Sequence, residues 1–133
     1  SEETTGLTSV IQLIRKLESE SHLQVAFNIG AGALSFPLSS QQSIVLYRSV
    51  QEALTNMMRH SGSREAEVNF SLIGGKFFRF QISNPLKEKV ELVEGFGLTA
   101  MRERIEQIDG TLDISQLEDE FIITGTFPME RGD

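Results

Sequence analysis

The sequence predicts an α+β fold, a mixed sheet with helices packed on one face. Three observations predict it. Helical and strand periodicities alternate along the 133 residues. Two pairs of strand-like runs are joined by short turns, which makes them antiparallel. Three helical stretches carry apolar residues on one face only, so each has a single side to bury.

The elements follow in order. Leu7, Val10, Ile11, Ile14 and Leu17 recur three and four apart, the spacing of an amphipathic helix over residues 7–19. Leu23, Val25, Phe27 and Ile29 then alternate with polar or small residues, which is a strand. Gly30 to Pro37 supplies a turn, and Ser39 or Ser40 can cap a long helix to about Ser61, closed by Ser61-Gly62-Ser63. Its apolar stripe is Leu46, Val50, Ala53, Leu54, Met57 and Met58. Two alternating runs, Ala66-Val68-Phe70-Leu72 and Phe78-Phe80-Ile82, flank Gly74-Gly75 and read as a hairpin; Pro85 stops the second. A charged loop with Lys87, Glu88, Lys89, Glu91 and Glu94 leads to Gly95-Phe96-Gly97. A helix then carries Leu98, Met101, Ile105 and Ile108 on one face and ends at Asp109-Gly110. Two last strands, Leu112 to Ile114 and Phe121 to Phe127, bend around Glu118-Asp119-Glu120.

Length and composition narrow the function. The length suits one domain spanning residues 1–133, large enough to fold without staples. The absence of cysteine excludes disulfides, zinc–thiolate sites and thiol nucleophiles. A net charge of −7 argues against a nucleic-acid partner and against an anionic membrane surface. No apolar run is long enough to span a bilayer, and the first residues lack the form of a signal peptide. The chain opens Ser1-Glu2-Glu3 without Met and reads as a piece of a longer protein, whose membrane segments, if it has them, lie elsewhere.

Two polar clusters go beyond what periodicity requires. On the long helix, Glu52, Asn56, Arg59 and His60 fall on one face at about 100° per residue. Carboxylate and amide oxygens suit Mg²⁺, and a cation suits phosphate; a plain solvated helix face fits the same pattern. The second cluster, Gly95-Phe96-Gly97-Leu98, opens a helix after the charged loop. Glycines let a backbone approach phosphate closely, and a helix N-terminus offers unpaired N–H groups; an ordinary glycine turn fits as well.

In this order and spacing, the clusters resemble a known family. The run from Tyr47 to Ser61 resembles the N box of bacterial two-component sensor histidine kinases, of the subfamily of nitrate and thermosensing regulators. Gly95-Phe96-Gly97-Leu98-Thr99-Ala100-Met101-Arg102-Glu103-Arg104 is similar to that subfamily's second glycine box. The likeness runs from about Gly6 to Pro128.

The resemblance implies a two-layer α/β sandwich of the Bergerat type, shared with gyrase, Hsp90 and MutL, that binds ATP with Mg²⁺ under a lid at residues 86–94. It implies that Glu52 and Asn56 hold or orient Mg²⁺ and serve catalysis, and that Arg59 and His60 face the phosphates or ribose. The backbone from Gly95 through Phe96, Gly97 and Leu98 to Thr99 would cradle phosphate. The γ-phosphoryl group would pass to a histidine on separate dimerisation helices of the parent chain, and onward to a response regulator. A cytoplasmic location is implied for the domain, with a parent that can be membrane-anchored. The fragment alone is expected to be monomeric and, lacking an acceptor, unable to autophosphorylate; His22, just before the first strand, is read as structural or surface.

The sequence departs from that family at the adenine end. Aligned on the strand Phe78 to Ile82, Asn84 falls where the family has the Asp that accepts the adenine amino hydrogen, followed by Pro85 and Leu86 instead of a glycine. Asn can accept the same bond through its carbonyl oxygen, at a loss of about 1 kcal/mol for the missing charge. Gly125-Thr126 mimics the family's Gly-Thr but counts to the inside of the last strand, leaving Glu120-Phe121 at the motif's place. Two readings follow: an ATP-binding kinase domain, or a degenerate domain deficient in nucleotide binding that acts as an interaction or signalling module. An ATP-gated domain of the gyrase or MutL kind is disfavoured by Met101-Arg102-Glu103-Arg104.

Overall fold

A computed structural model describes residues 6–86 and 97–130. Five strands form one sheet in the order β1-β2-β3-β5-β4. They are β1 (Gln24–Ile29), β2 (Glu65–Ile73), β3 (Phe77–Pro85), β4 (Thr111–Leu117) and β5 (Glu120–Pro128), with helices α1 (Gly6–Ser21), α2 (Ser40–Ser61) and α3 (Leu98–Gln107). Only β1 and β2 are parallel, as the intervening α2 requires; the other neighbours are antiparallel. The expected mixed sheet with helices on one face is what the chain forms.

Local chemistry accounts for the joints. Gly74 (φ 59) and Gly75 (φ 71) are the central residues of the Ile73–Lys76 turn that closes the β2–β3 hairpin, where the Lys76 N–H donates to the Ile73 carbonyl and both central φ angles are positive. Of the two candidate caps on α2, Ser39 is the one used. Its hydroxyl accepts from the Gln42 N–H, and the Gln42 side chain returns a bond to the Ser39 N–H. The same Gln42, 1% exposed, donates through Nε2 to the Pro128 carbonyl at 2.9 Å, so the cap also fixes α2 to the end of β5.

Alternation then sorts the sheet into a dry face and a wet one. Val25, Val68, Phe70, Phe78, Phe80, Ile82, Ile123 and Phe127 point under the helices, where they meet Val10, Ile14, Leu46, Val50, Ala53, Leu54, Met101 and Ile105. Phe36, from the β1–α2 connection, joins Phe78 and Phe127 with ring centroids at 5.4 and 6.5 Å. On the other face lie polar pairs such as Asn28–Asn69 and Gln81–Thr124. Gly125 sits mid-strand opposite Phe80, whose ring covers it; a side chain there would occupy the ring's place. Gly125-Thr126 is therefore a packing feature of β5, inside the strand as counted from Pro128.

Candidate functional site

Several of the sequence-predicted residues lie together between α2, the end of β3, the start of α3 and the start of β5. Asn84 is the last inward-facing residue of β3, following Phe78, Phe80 and Ile82 on the same face. It is 2% exposed, a polar side chain in an apolar row. Its Nδ2 donates to Ser61 Oγ at 2.7 Å. Ser61 Oγ in turn donates to the Met57 carbonyl at 2.5 Å and accepts the Ser63 N–H at 3.1 Å. A hydroxyl has one proton and two lone pairs, so Ser61 is saturated. Among the described residues Asn84 Oδ1 is buried and finds no partner. Such an orphan acceptor is unusual in a folded interior, where its desolvation costs about 1–3 kcal/mol.

Asn84 lines a pocket with Ala53, Asn56, Met57, His60, Leu86, Leu98, Phe121 and Ile123. The walls are mostly apolar, with Asn56, His60 and Asn84 as the polar groups, the usual make-up of a small-molecule site. It is closed down to about 10 Å³, room for about one water molecule. Leu86 helps to close it. Its side chain is 8% exposed, and its N–H donates to the Asp119 carbonyl at 2.6 Å, so β3 remains anchored one residue beyond its end.

Asn56, on the pocket wall, and Glu52, one turn before it on α2, stand against the start of α3. Gly97 takes a left-handed conformation (φ 72), and a Cβ there would lie 3.9 Å from Asn56 Nδ2 and 4.0 Å from Glu52 Oε2. The glycine turn thus lies directly over the acid–amide pair. α3 has no side-chain cap at its N-terminus. Glu52 Oε1 accepts from Arg104 Nη2 at 2.5 Å, an ion pair joining α2 to α3. Both side chains are partly exposed, so the pair is worth about 0.5–1 kcal/mol and mainly fixes the carboxylate's direction. Among the described residues no group of three or more His, Cys, Asp or Glu side chains could cage a metal. One carboxylate with one amide oxygen matches Mg²⁺ instead, which keeps waters and takes its other ligands from substrate phosphate.

Of the predicted residues, Glu52, Asn56, His60, Asn84, Gly97 and Leu98 are brought together. Arg59 is exposed in the last turn of α2, outside the pocket walls, and Thr99 is exposed on the first turn of α3. Gly95 and Phe96, and residues 87–94 of the expected lid, lie outside the described residues; Leu86, placed in that lid, belongs to the pocket wall. His22 is exposed at a positive φ where α1 gives way to β1, a surface turn position. Sequence reasoning missed Ser61, taken only as a helix end, and Arg104, visible in its motif but without a partner. It also missed the walls Phe121 and Ile123, whose alternation marked them as core and nothing more.

No protein-family model matches the chain. It is 34% identical over 119 residues to the sensor histidine kinase YxjM of Bacillus subtilis, covering 89% of this chain and 29% of that protein. To the signal transduction histidine-protein kinase/phosphatase DegS of the same organism it is 32% identical over 102 residues, covering 69% of this chain and 24% of DegS. The chain thus spans less than a third of either relative. Among solved structures, the nucleotide-free catalytic domain of the histidine kinase ThkA superposes with a TM-score of 0.73 at 13% identity, covering 93% of this chain and 94% of that one. Related in sequence to the first two proteins and sharing the fold of the third, this chain belongs to the sensor histidine kinase family and has the architecture of its catalytic domains.

Proposed function

We propose that this chain is the ATP-binding catalytic part of a two-component sensor kinase. It binds Mg-ATP so that the γ-phosphoryl group can pass to a histidine on dimerisation helices outside this sequence, and from there to a response regulator. The observation that carries the reading is the orphan acceptor of Asn84, buried in a largely apolar pocket that Asn56 also lines, with the Gly97 turn against Asn56 and Glu52. An exocyclic amino group of adenine would satisfy Oδ1, and the rest of the base would lie against Met57, Leu98, Phe121 and Ile123. Phosphates would then fall at the Gly97 turn that opens α3, where uncapped backbone N–H groups favour anions.

Mg²⁺, when bound, neutralises phosphate charge. The chain's own part is positional: Asn56 offers an amide oxygen, and Glu52, steered by Arg104, a carboxylate on the same side. Catalysis of this kind rests on placement and charge, because little covalent chemistry falls to the protein.

Calorimetric titration of the chain with Mg-ADP tests the reading. Saturable binding that weakens about ten-fold or more in Asn56→Ala is expected, since a ligand to the metal–phosphate group is lost. Absence of binding at millimolar nucleotide would overturn it in favour of a second reading, a degenerate domain serving as an interaction module. The narrowness of the pocket and the presence of Leu86 in its wall favour that alternative.

A further inference from the structure

We infer that Ser61 sets which purines this pocket accepts, by holding the Asn84 amide with its acceptor edge toward the base; the inference rests on the nucleotide reading above. An aspartate at this position could only accept. An asparagine has an acceptor and a donor of nearly the same shape, so a half-turn about its last bond reverses the edge it presents. Adenine offers an amino donor at C6. Hypoxanthine offers a carbonyl acceptor there. A freely turning Asn84 would serve both.

The hydrogen bonds around Ser61 prevent the half-turn. Its single proton goes back to the Met57 carbonyl in the preceding helical turn, and one lone pair holds the Ser63 N–H. Only a lone pair remains for Asn84, so the group facing Ser61 at 2.7 Å must be a donor, Nδ2. Reversing the amide would set two acceptors against each other and turn an NH₂ toward Met57, Leu86, Phe121 and Ile123. The alternative is rotation of the Ser61 hydroxyl onto the reversed Oδ1, which sacrifices its bond to Met57. Selectivity is therefore graded, at about the value of one hydrogen bond, or roughly ten-fold.

The test measures Kd for Mg-ADP and Mg-IDP, which differ at the C6 edge, on the unaltered chain, Ser61→Ala and Ser61→Thr. The unaltered chain should prefer ADP by about ten-fold. Ser61→Ala should bring the two constants close together, with IDP binding tighter in absolute terms; a merely loosened pocket would not produce that gain. Ser61→Thr, which keeps the hydroxyl, should restore the preference. An unchanged ratio in Ser61→Ala, or equal weakening of both nucleotides, overturns the inference and leaves the nucleotide reading standing. Failure of the unaltered chain to bind either nucleotide overturns both. Should Ser61→Ala fail to fold, NMR of the Asn84 side-chain amide in the unaltered chain decides: slow-exchanging Nδ2 protons are expected, and rapid exchange overturns the inference.

Discussion

Leu86 illustrates how a single side chain can oppose a site that its neighbours build. Two positions after Asn84, it continues the inward row of β3 one residue past the strand's end and lines the pocket with 8% exposure. Truncation by Leu86→Ala would leave space that the closed pocket lacks, and would remove buried apolar contact. Thermal or chemical denaturation should therefore show a loss of about 2–3 kcal/mol. Mg-ADP titration should show tighter binding by several-fold, because less closure has to be undone. A variant that is less stable and binds no better would mean that Leu86 fills core and does not limit the site. At this scale the sequence was informative about types and silent about partners. Asn84 and Leu86 were legible as departures from the resemblance. That Asn84 meets Ser61, 23 positions earlier, was not, since no periodicity links the end of a helix to the end of a later strand. The Glu52–Arg104 pair, 52 positions apart, was hidden for the same reason.

Elements were the most legible level. Apolar spacing placed α1, α2, α3 and all five strands, because periods of 3.6 and 2 are properties of the chain itself. The last strand pair was underestimated: β4 runs from Thr111 to Leu117, past the expected end at Ile114. Ser115 and Gln116 extend it by pairing with Ile122 and Phe121 of β5, a contribution from the partner strand and not from local propensity. Gly125 shows the converse, a residue of poor strand propensity retained for a neighbour's sake. Because Phe80 lies across it, Gly125→Ala should destabilise the fold by about 1–3 kcal/mol through overpacking, read as a lower denaturation midpoint. If the variant were neutral, the Phe80 ring would have to have another place to go.

At the scale of the molecule, three helices cover one face of the sheet and leave the other to polar pairs such as Asn28–Asn69 and Gln81–Thr124. Among the described residues the exposed large apolar side chains Ile29, Leu34, Ile44 and Leu117 come from separate elements, while Ile73 and Phe77 pair across the β2–β3 hairpin with Met129 close by. With a net charge of −7, copies of the chain repel one another. Light scattering should accordingly give a monomer mass; a dimer would require an interface formed by this chain itself. No helix among the described residues is long and apolar enough to cross a membrane. What the sequence by itself determined was the alternation of elements, the single buried face of each and the residue types of the two polar clusters. These depend on spacing along the chain and on side-chain chemistry, both local. Only the tertiary structure decided that Gly97 stands over Glu52 and Asn56, that Arg104 steers the carboxylate, and that Ser61 leaves one oxygen of Asn84 unpaired in a nearly closed pocket. Those relations arise from strand order and helix docking, which bring distant residues within hydrogen-bond reach.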